Sequence, residues 1–303
     1  VFGPALAELV DPAAVVELVA TGFQFTEGPL WHPTGSYLLF SDLAGDVIRR
    51  WDDRAGSAAF RRPSGKANGL TYDHNCRLVA CEHVGRRVTR TEPDGSLTIL
   101  AAEYAGQPLN SPNDVVVASN GAIYFTDPPY GLQDYYGVAR PQDLAFQGVY
   151  RIAPSGELRL VADDFAAPNG LAFSPDETRL YVDDTERGQL RVFDVLADGS
   201  LTNGRVFFDF AWEPAAAGLT GAPDGLKLDE RGNVYCTGPG GIWVLSPAAK
   251  PLGLISLPEA PSNLNWAGPN WSTLYVTAQT SVYRLPMRVG GNRLGYMGTI
   301  GKS

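Results

Sequence analysis

A chain of 303 residues with 44% hydrophobic, 11% aromatic and 19% charged side chains can bury a large core and lacks the composition of a disordered segment. Its net charge of -9 disfavours nucleic acid and anionic membrane surfaces as partners, since both select basic patches, and is compatible with a bound cation. The odd cysteine count (Cys76, Cys81, Cys236), in no metal-finger spacing, argues against a disulfide framework and for buried free thiols in a reducing compartment.

Residues 1–20 read as an N-terminal arm, in which Asp11-Pro12-Ala13-Ala14 makes a turn and 15–20 runs into a strand. Residues 21–303 read as one domain because a single pattern recurs. Each pass has a Gly or Pro turn, an apolar strand, a polar turn, a β-rich strand ending in small or acidic residues, a loop, and a third strand rich in Arg and aromatics. The first pass runs through Gly28-Pro29-Leu30-Trp31, 37–42 and 46–51, and the second through Gly69-Leu70-Thr71-Tyr72, 77–82 and 87–91. The third has strands at 114–117, 122–127 and 148–152, and the later passes place their second strands at 179–184, 233–237 and 272–277. Less regular fourth strands follow, such as 97–100 and 158–161. Six such passes predict an all-β fold, a six-bladed β-propeller.

One position of the repeat is always an oxygen donor: Glu27, Asn68, Asn113, Asn169, Asp224 and Asn263, spaced 39 to 56 residues apart. Each stands where an innermost strand begins, so closure of the propeller is expected to bring them to one tunnel mouth. Two carboxylates with amide oxygens, and neither His nor Cys, suit a hard divalent cation of the calcium type. The competing reading is turn chemistry, which Asn-Gly and Asp-Gly commonly supply; it weighs most on Asn68 and Asn263 and least on Glu27.

A second row closes the second strands: Asp42, Glu82, Asp127 and Asp184. These are either supports for the mouth or solvated turn residues. His32 and His74 fall in far-side turns and read as surface histidines, whereas His83 follows Glu82 on the mouth face and is a candidate proton carrier. The third pass carries an insertion, 128–147, with Tyr130, Tyr135, Tyr136 and Phe146; long loops beside a site are often lids or binding loops. The fourth carries Trp212-Glu213-Pro214-Ala215-Ala216-Ala217-Gly218 ahead of Asp224.

Phe25-Thr26-Glu27-Gly28-Pro29-Leu30-Trp31, Ser111-Pro112-Asn113-Asp114-Val115, Pro168-Asn169-Gly170-Leu171 and Pro223-Asp224-Gly225-Leu226, in this order, resemble the SMP-30/gluconolactonase (regucalcin-like) family, in its bacterial type. The resemblance implies a six-bladed propeller that hydrolyses sugar lactones with a divalent cation at the tunnel mouth, calcium first, with zinc, magnesium or manganese as alternatives. On its pattern Glu27, Asn169 and Asp224 match the metal ligands, and Asn113 matches an asparagine that contacts substrate or metal. Asp224 matches the proposed general base or nucleophile. Animal members carry Arg where this chain has Ser111, which leaves the sugar preference open while keeping Ser111 and Asn113 as substrate-contact candidates.

Tyr130, Tyr135 and Tyr136 are expected to cover the substrate ring, with Asn68, Asn263 and Asp127 supporting the mouth. The expected partner is a small lactone, with no nucleic acid or membrane, in a monomer or homodimer. The absence of a charged start before an apolar stretch points to the cytoplasm, or to the periplasm if a leader was removed. Two rivals share these residues: a phosphotriesterase on the same mouth, and a non-enzymatic binding propeller.

Overall fold

Six four-stranded antiparallel sheets form the blades of a β-propeller, so the expected all-β architecture is the one found. The computed structural model describes residues 3–293 and residue 297. The innermost strands are Thr26–His32, Ala67–Tyr72, Val115–Val117, Pro168–Phe173, Leu226–Leu228 and Pro261–Ala267. Second strands such as Tyr37–Asp42 and Arg179–Asp184 match the apolar runs of the repeat, and they are almost wholly buried because a blade is covered on both faces by its neighbours. None of the described helices is long and apolar enough to cross a membrane.

The ring is closed by the stretch read as an arm. Glu17–Thr21 is the outer strand of the sixth blade, paired antiparallel with Ser281–Pro286, so the two ends of the chain share one sheet. Leu6, Leu9 and Val10 are buried in the same core cluster as Trp266 and Tyr235 and anchor the segment before that strand.

Apolar side chains fill the spaces between blades, and hydrogen bonds stitch the inner ring. Ser41 Oγ donates to the Asn68 carbonyl (2.7 Å), Thr126 Oγ1 to the Asn169 carbonyl (2.7 Å), and Ser262 Oγ to the Thr26 carbonyl (2.7 Å). Main-chain N–H groups repeat the motif, from Gly69 to Asn113, Gly170 to Asp224 and Gly225 to Ser262. Blades approach so closely here that a Cβ on Gly170 would lie 2.2 Å from the Asp224 carbonyl oxygen. Glycine after the column residue is therefore a packing requirement. The third and sixth blades depart from it with Asp114 and Leu264, and Gly69 next door leaves the space that the Asp114 carboxylate fills.

Candidate active site

Five of the six column residues converge. Glu27, Asn68, Asn113, Asn169 and Asp224 line one cavity of ≈ 160 Å³ with Phe25, Leu43, His83, Tyr130, Tyr136 and Thr185. Asn263 stands behind it: its Nδ2 donates to Glu27 Oε2 (3.0 Å) and its Oδ1 accepts from Leu264 N (2.8 Å). A roomier cavity of ≈ 300 Å³ lies at the other end of the innermost strands, away from the column, lined mostly by apolar side chains with Lys227, Arg293, Asn265 and Asn292 among them.

Carboxylates of the second row fix where the column residues stand. Asp127 accepts from the N–H groups of Asn110 and Ser111 (2.8 Å each), two and three residues before Asn113. Asp184 does the same with Ala166 (2.9 Å) and Ala167 (3.0 Å) before Asn169, and Asp42 Oδ1 with Gln24 (2.9 Å) and Phe25 (3.4 Å) before Glu27. These otherwise unpaired main-chain donors explain why the second strands end in acid. Glu82 differs, taking Arg61, Arg87 and Thr89 instead.

The donors are oriented. Glu27 Oε2 accepts from Gly28 N (2.6 Å) as well as Asn263, leaving Oε1 without a hydrogen bond. Asn169 Nδ2 donates to Thr185 Oγ1 (3.1 Å), whose hydroxyl donates on to the Pro223 carbonyl (2.8 Å), so the Asn169 oxygen is the free end. Asn68 Oδ1 is buried with no partner. Burial, with the nearby Asp114 charge, pushes the Glu27 carboxyl up to about 7. Asp224 is pushed well above the usual carboxylate range by burial and by Glu27 and Asp114. Two mutually repelling carboxylates and an orphaned amide oxygen around one small cavity are the environment that a bound divalent cation would satisfy. Among the described residues no three His, Cys, Asp or Glu side chains cluster as a metal-holding group. The mouth offers two carboxylates and otherwise amide oxygens.

The 128–147 loop lies over this mouth and is tied down from below. Lys66 Nζ donates to the carbonyls of Asp134 (3.0 Å), Tyr135 (3.0 Å) and Gly137 (3.1 Å). His83 Nδ1 bonds the Tyr136 carbonyl (3.0 Å), which makes it the protonated nitrogen and turns Nε2 toward Asn68 as an acceptor (3.4 Å). Burial pushes His83 down to about 4, so it is neutral at physiological pH rather than a ready proton carrier. Replacing Lys66 by Met should loosen the loop and raise KM for a cavity ligand about tenfold with little change in kcat, measured by steady-state kinetics.

Of the expected substrate contacts, Tyr130 and Tyr136 line the cavity, and the buried Tyr130 hydroxyl stands beside Thr185. Two stand elsewhere. Tyr135 is half exposed and donates its hydroxyl to the Gln24 carbonyl (3.1 Å), packing edge-on against Phe25 and Tyr136 at the rim. Ser111 is wholly buried; its hydroxyl donates to the Pro128 carbonyl and accepts from Gly131 N (2.9 Å), so it pins the start of the loop instead of facing a ligand. His32 is half buried, its ring against Tyr37 and Tyr72, and His74 bonds the Ala118 carbonyl (3.0 Å). All three cysteines are free thiols, two of them buried.

Sequence reasoning passed over Phe25, Leu43, Thr185, Asp114 and Lys227. Asp114 had a visible signal, since it occupies the place after the column residue that holds Gly in four other blades.

Comparisons with known proteins place the chain in a family. The chain is 33% identical over 307 residues to a gluconolactonase of Zymomonas mobilis, covering 96% of this chain and 86% of the relative. A solved gluconolactonase from Xanthomonas campestris is 35% identical and superposes with a TM-score of 0.86, covering 95% of this chain and 93% of that one. A calcium-binding protein, regucalcin, from Agrobacterium tumefaciens shares the fold, with 19% identity, a TM-score of 0.76 and coverage of 93% and 98%. Residues 25–280 match the family described as the SMP-30/Gluconolactonase/LRE-like region, and the chain belongs to that family.

Proposed function

We propose that the mouth hydrolyses a sugar lactone to its aldonic acid with the aid of a divalent cation held by Glu27, Asn113, Asn169 and Asp224. The chain is an enzyme of the lactonase class. The observation that carries the finer reading is the convergence of these oxygen donors, two of them repelling carboxylates, on one cavity under a tyrosine-bearing loop. When bound, such a cation supplies Lewis-acid polarisation of the lactone carbonyl. The donor set suits calcium, with zinc, magnesium and manganese as alternatives.

The side chains divide the remaining work. Asp224, whose proton affinity is raised by its neighbours, takes the proton of the water that adds to the carbonyl carbon. As the ring carbon–oxygen bond breaks, the same carboxyl returns that proton to the departing ring oxygen. Direct attack by Asp224 is the alternative within the same geometry. Asn263 keeps Glu27 oriented, and Thr185 does so for Asn169. Sugar hydroxyls can donate to the unpaired Asn68 Oδ1 and meet the Tyr130 hydroxyl, while Tyr136 and Phe25 exclude water from the ring face.

The test is metal analysis with a lactonase assay before and after EDTA and after adding back each cation singly. Loss of hydrolysis with EDTA, restored by calcium more fully than by magnesium, is expected. Full activity in metal-free protein would overturn the cation's part.

A further inference from the structure

Beneath the mouth, one ion pair crosses the tunnel. Asp114 immediately precedes the innermost strand of the third blade and Lys227 lies on that of the fifth; Lys227 Nζ stands 3.6 Å from Asp114 Oδ2. Asp114 Oδ1 accepts from Val115 N (2.8 Å), while Oδ2 has no hydrogen bond and is buried. Lys227 Nζ donates to the Leu226 carbonyl (2.9 Å), and its side chain is 20% exposed, toward the far cavity. Neither residue lines the mouth cavity. Both charges are nevertheless felt there. Asp114 directly follows the cavity-lining Asn113 and packs against Gly69, which follows the cavity-lining Asn68, and charges act strongly over such short spans in a buried setting.

An unpaired buried carboxylate is costly, and four of the other blades avoid it by carrying Gly at this position. The third blade keeps a carboxylate and is met by the partly buried ammonium of Lys227 from two blades away. Removal of either partner leaves the other charge uncompensated in a low-dielectric interior, which is felt strongly over short distances.

We infer that the Asp114–Lys227 pair is a charge-balancing floor that sets how tightly the mouth holds its cation, Asp114 strengthening the hold and Lys227 moderating it. Both are positioning residues, and the inference rests on the cation reading given under Proposed function. With the pair intact, these two side chains add no net charge beneath the mouth, where the buried Asp183 carboxyl also stands near Asp224 and Asp114. With Lys227 left unpaired, a positive charge opposes the cation from below.

The experiment is titration calorimetry of EDTA-stripped protein with calcium chloride, at fixed pH and ionic strength, for wild type, Asp114→Asn, Lys227→Arg and the double variant Asp114→Asn/Lys227→Met. Asp114→Asn should raise Kd at least about tenfold. The double variant, neutral on both sides, should recover most of that loss. Lys227→Arg keeps the charge and should stay within about threefold of wild type. A packing role makes the opposite forecast, since two core substitutions would then do at least as much damage as one. The inference fails if the folded double variant binds calcium no tighter than Asp114→Asn. Should the double variant not fold, a shift in Lys227→Arg as large as that of Asp114→Asn also overturns it, because charge would then not govern. Absence of calcium, zinc, magnesium and manganese binding in wild type would instead remove the cation reading itself, and this inference with it.

Discussion

Asp224→Asn is expected to lower kcat/KM for a δ-lactone by at least about a thousandfold while the Tm of EDTA-treated protein stays level or rises. The amide retains an oxygen for a cation and matches the carboxylate in shape, so what disappears is the proton acceptor. Stability follows from the electrostatics of the mouth. Burial and the charges of Glu27 and Asp114 already disfavour ionised Asp224, and a neutral side chain relieves that repulsion. A lesion that merely disturbed the core would lower both activity and Tm. Steady-state kinetics beside differential scanning calorimetry separates the cases, and retained lactonase activity would sink the assignment of Asp224.

A comparable effect is expected from pH on the metal-free protein. Glu27 holds its proton up to about 7 in the folded chain, against an ordinary glutamate value of 4.5. Between those values the unfolded chain has released the proton and the folded one has not, so raising the pH across this window favours unfolding. The loss accumulates from below pH 4.5 to above about 7 and should lower Tm across that window. A cation bound by ionised Glu27 offsets it, so stabilisation by calcium should be small at pH 5 and large at pH 8. Melting curves with EDTA and with calcium at both values test this; a calcium increment that does not grow with pH would contradict the assignment of Glu27 as a ligand.

How much was legible beforehand depended on what repeats. The second strands, such as Tyr37–Asp42, stood out because each is a β-rich run ending in a small or acidic residue, and burial on both faces keeps them apolar. The column was legible because Glu27, Asn68, Asn113, Asn169 and Asp224 occupy equivalent places, and equivalent places in a closed ring meet at one end. Contacts between blades were not. The pairing of Glu17 with Arg284 joins positions at opposite ends of the chain, and no local pattern announces it. Asp114 and Lys227 are two blades apart, and only the closed ring sets them 3.6 Å from each other. Ser111 was assigned by family position, yet its side chain faces the loop it anchors rather than the cavity. Similarly, Asn263 shares the column but is drawn onto Glu27 by the hydrogen bond that orients the carboxylate.

The same mouth could in principle serve attack at phosphorus as well as at a carbonyl carbon, and the two leave different records. The most direct measurement is turnover by the calcium-loaded protein of D-glucono-1,5-lactone and of a neutral phosphotriester, followed side by side by proton release in a pH-stat. Lactone turnover well above the spontaneous rate, abolished by Asp224→Asn, with phosphotriester turnover far slower, is the predicted result. Efficient phosphotriester hydrolysis with no acceleration of lactone opening would contradict the lactonase reading of the site.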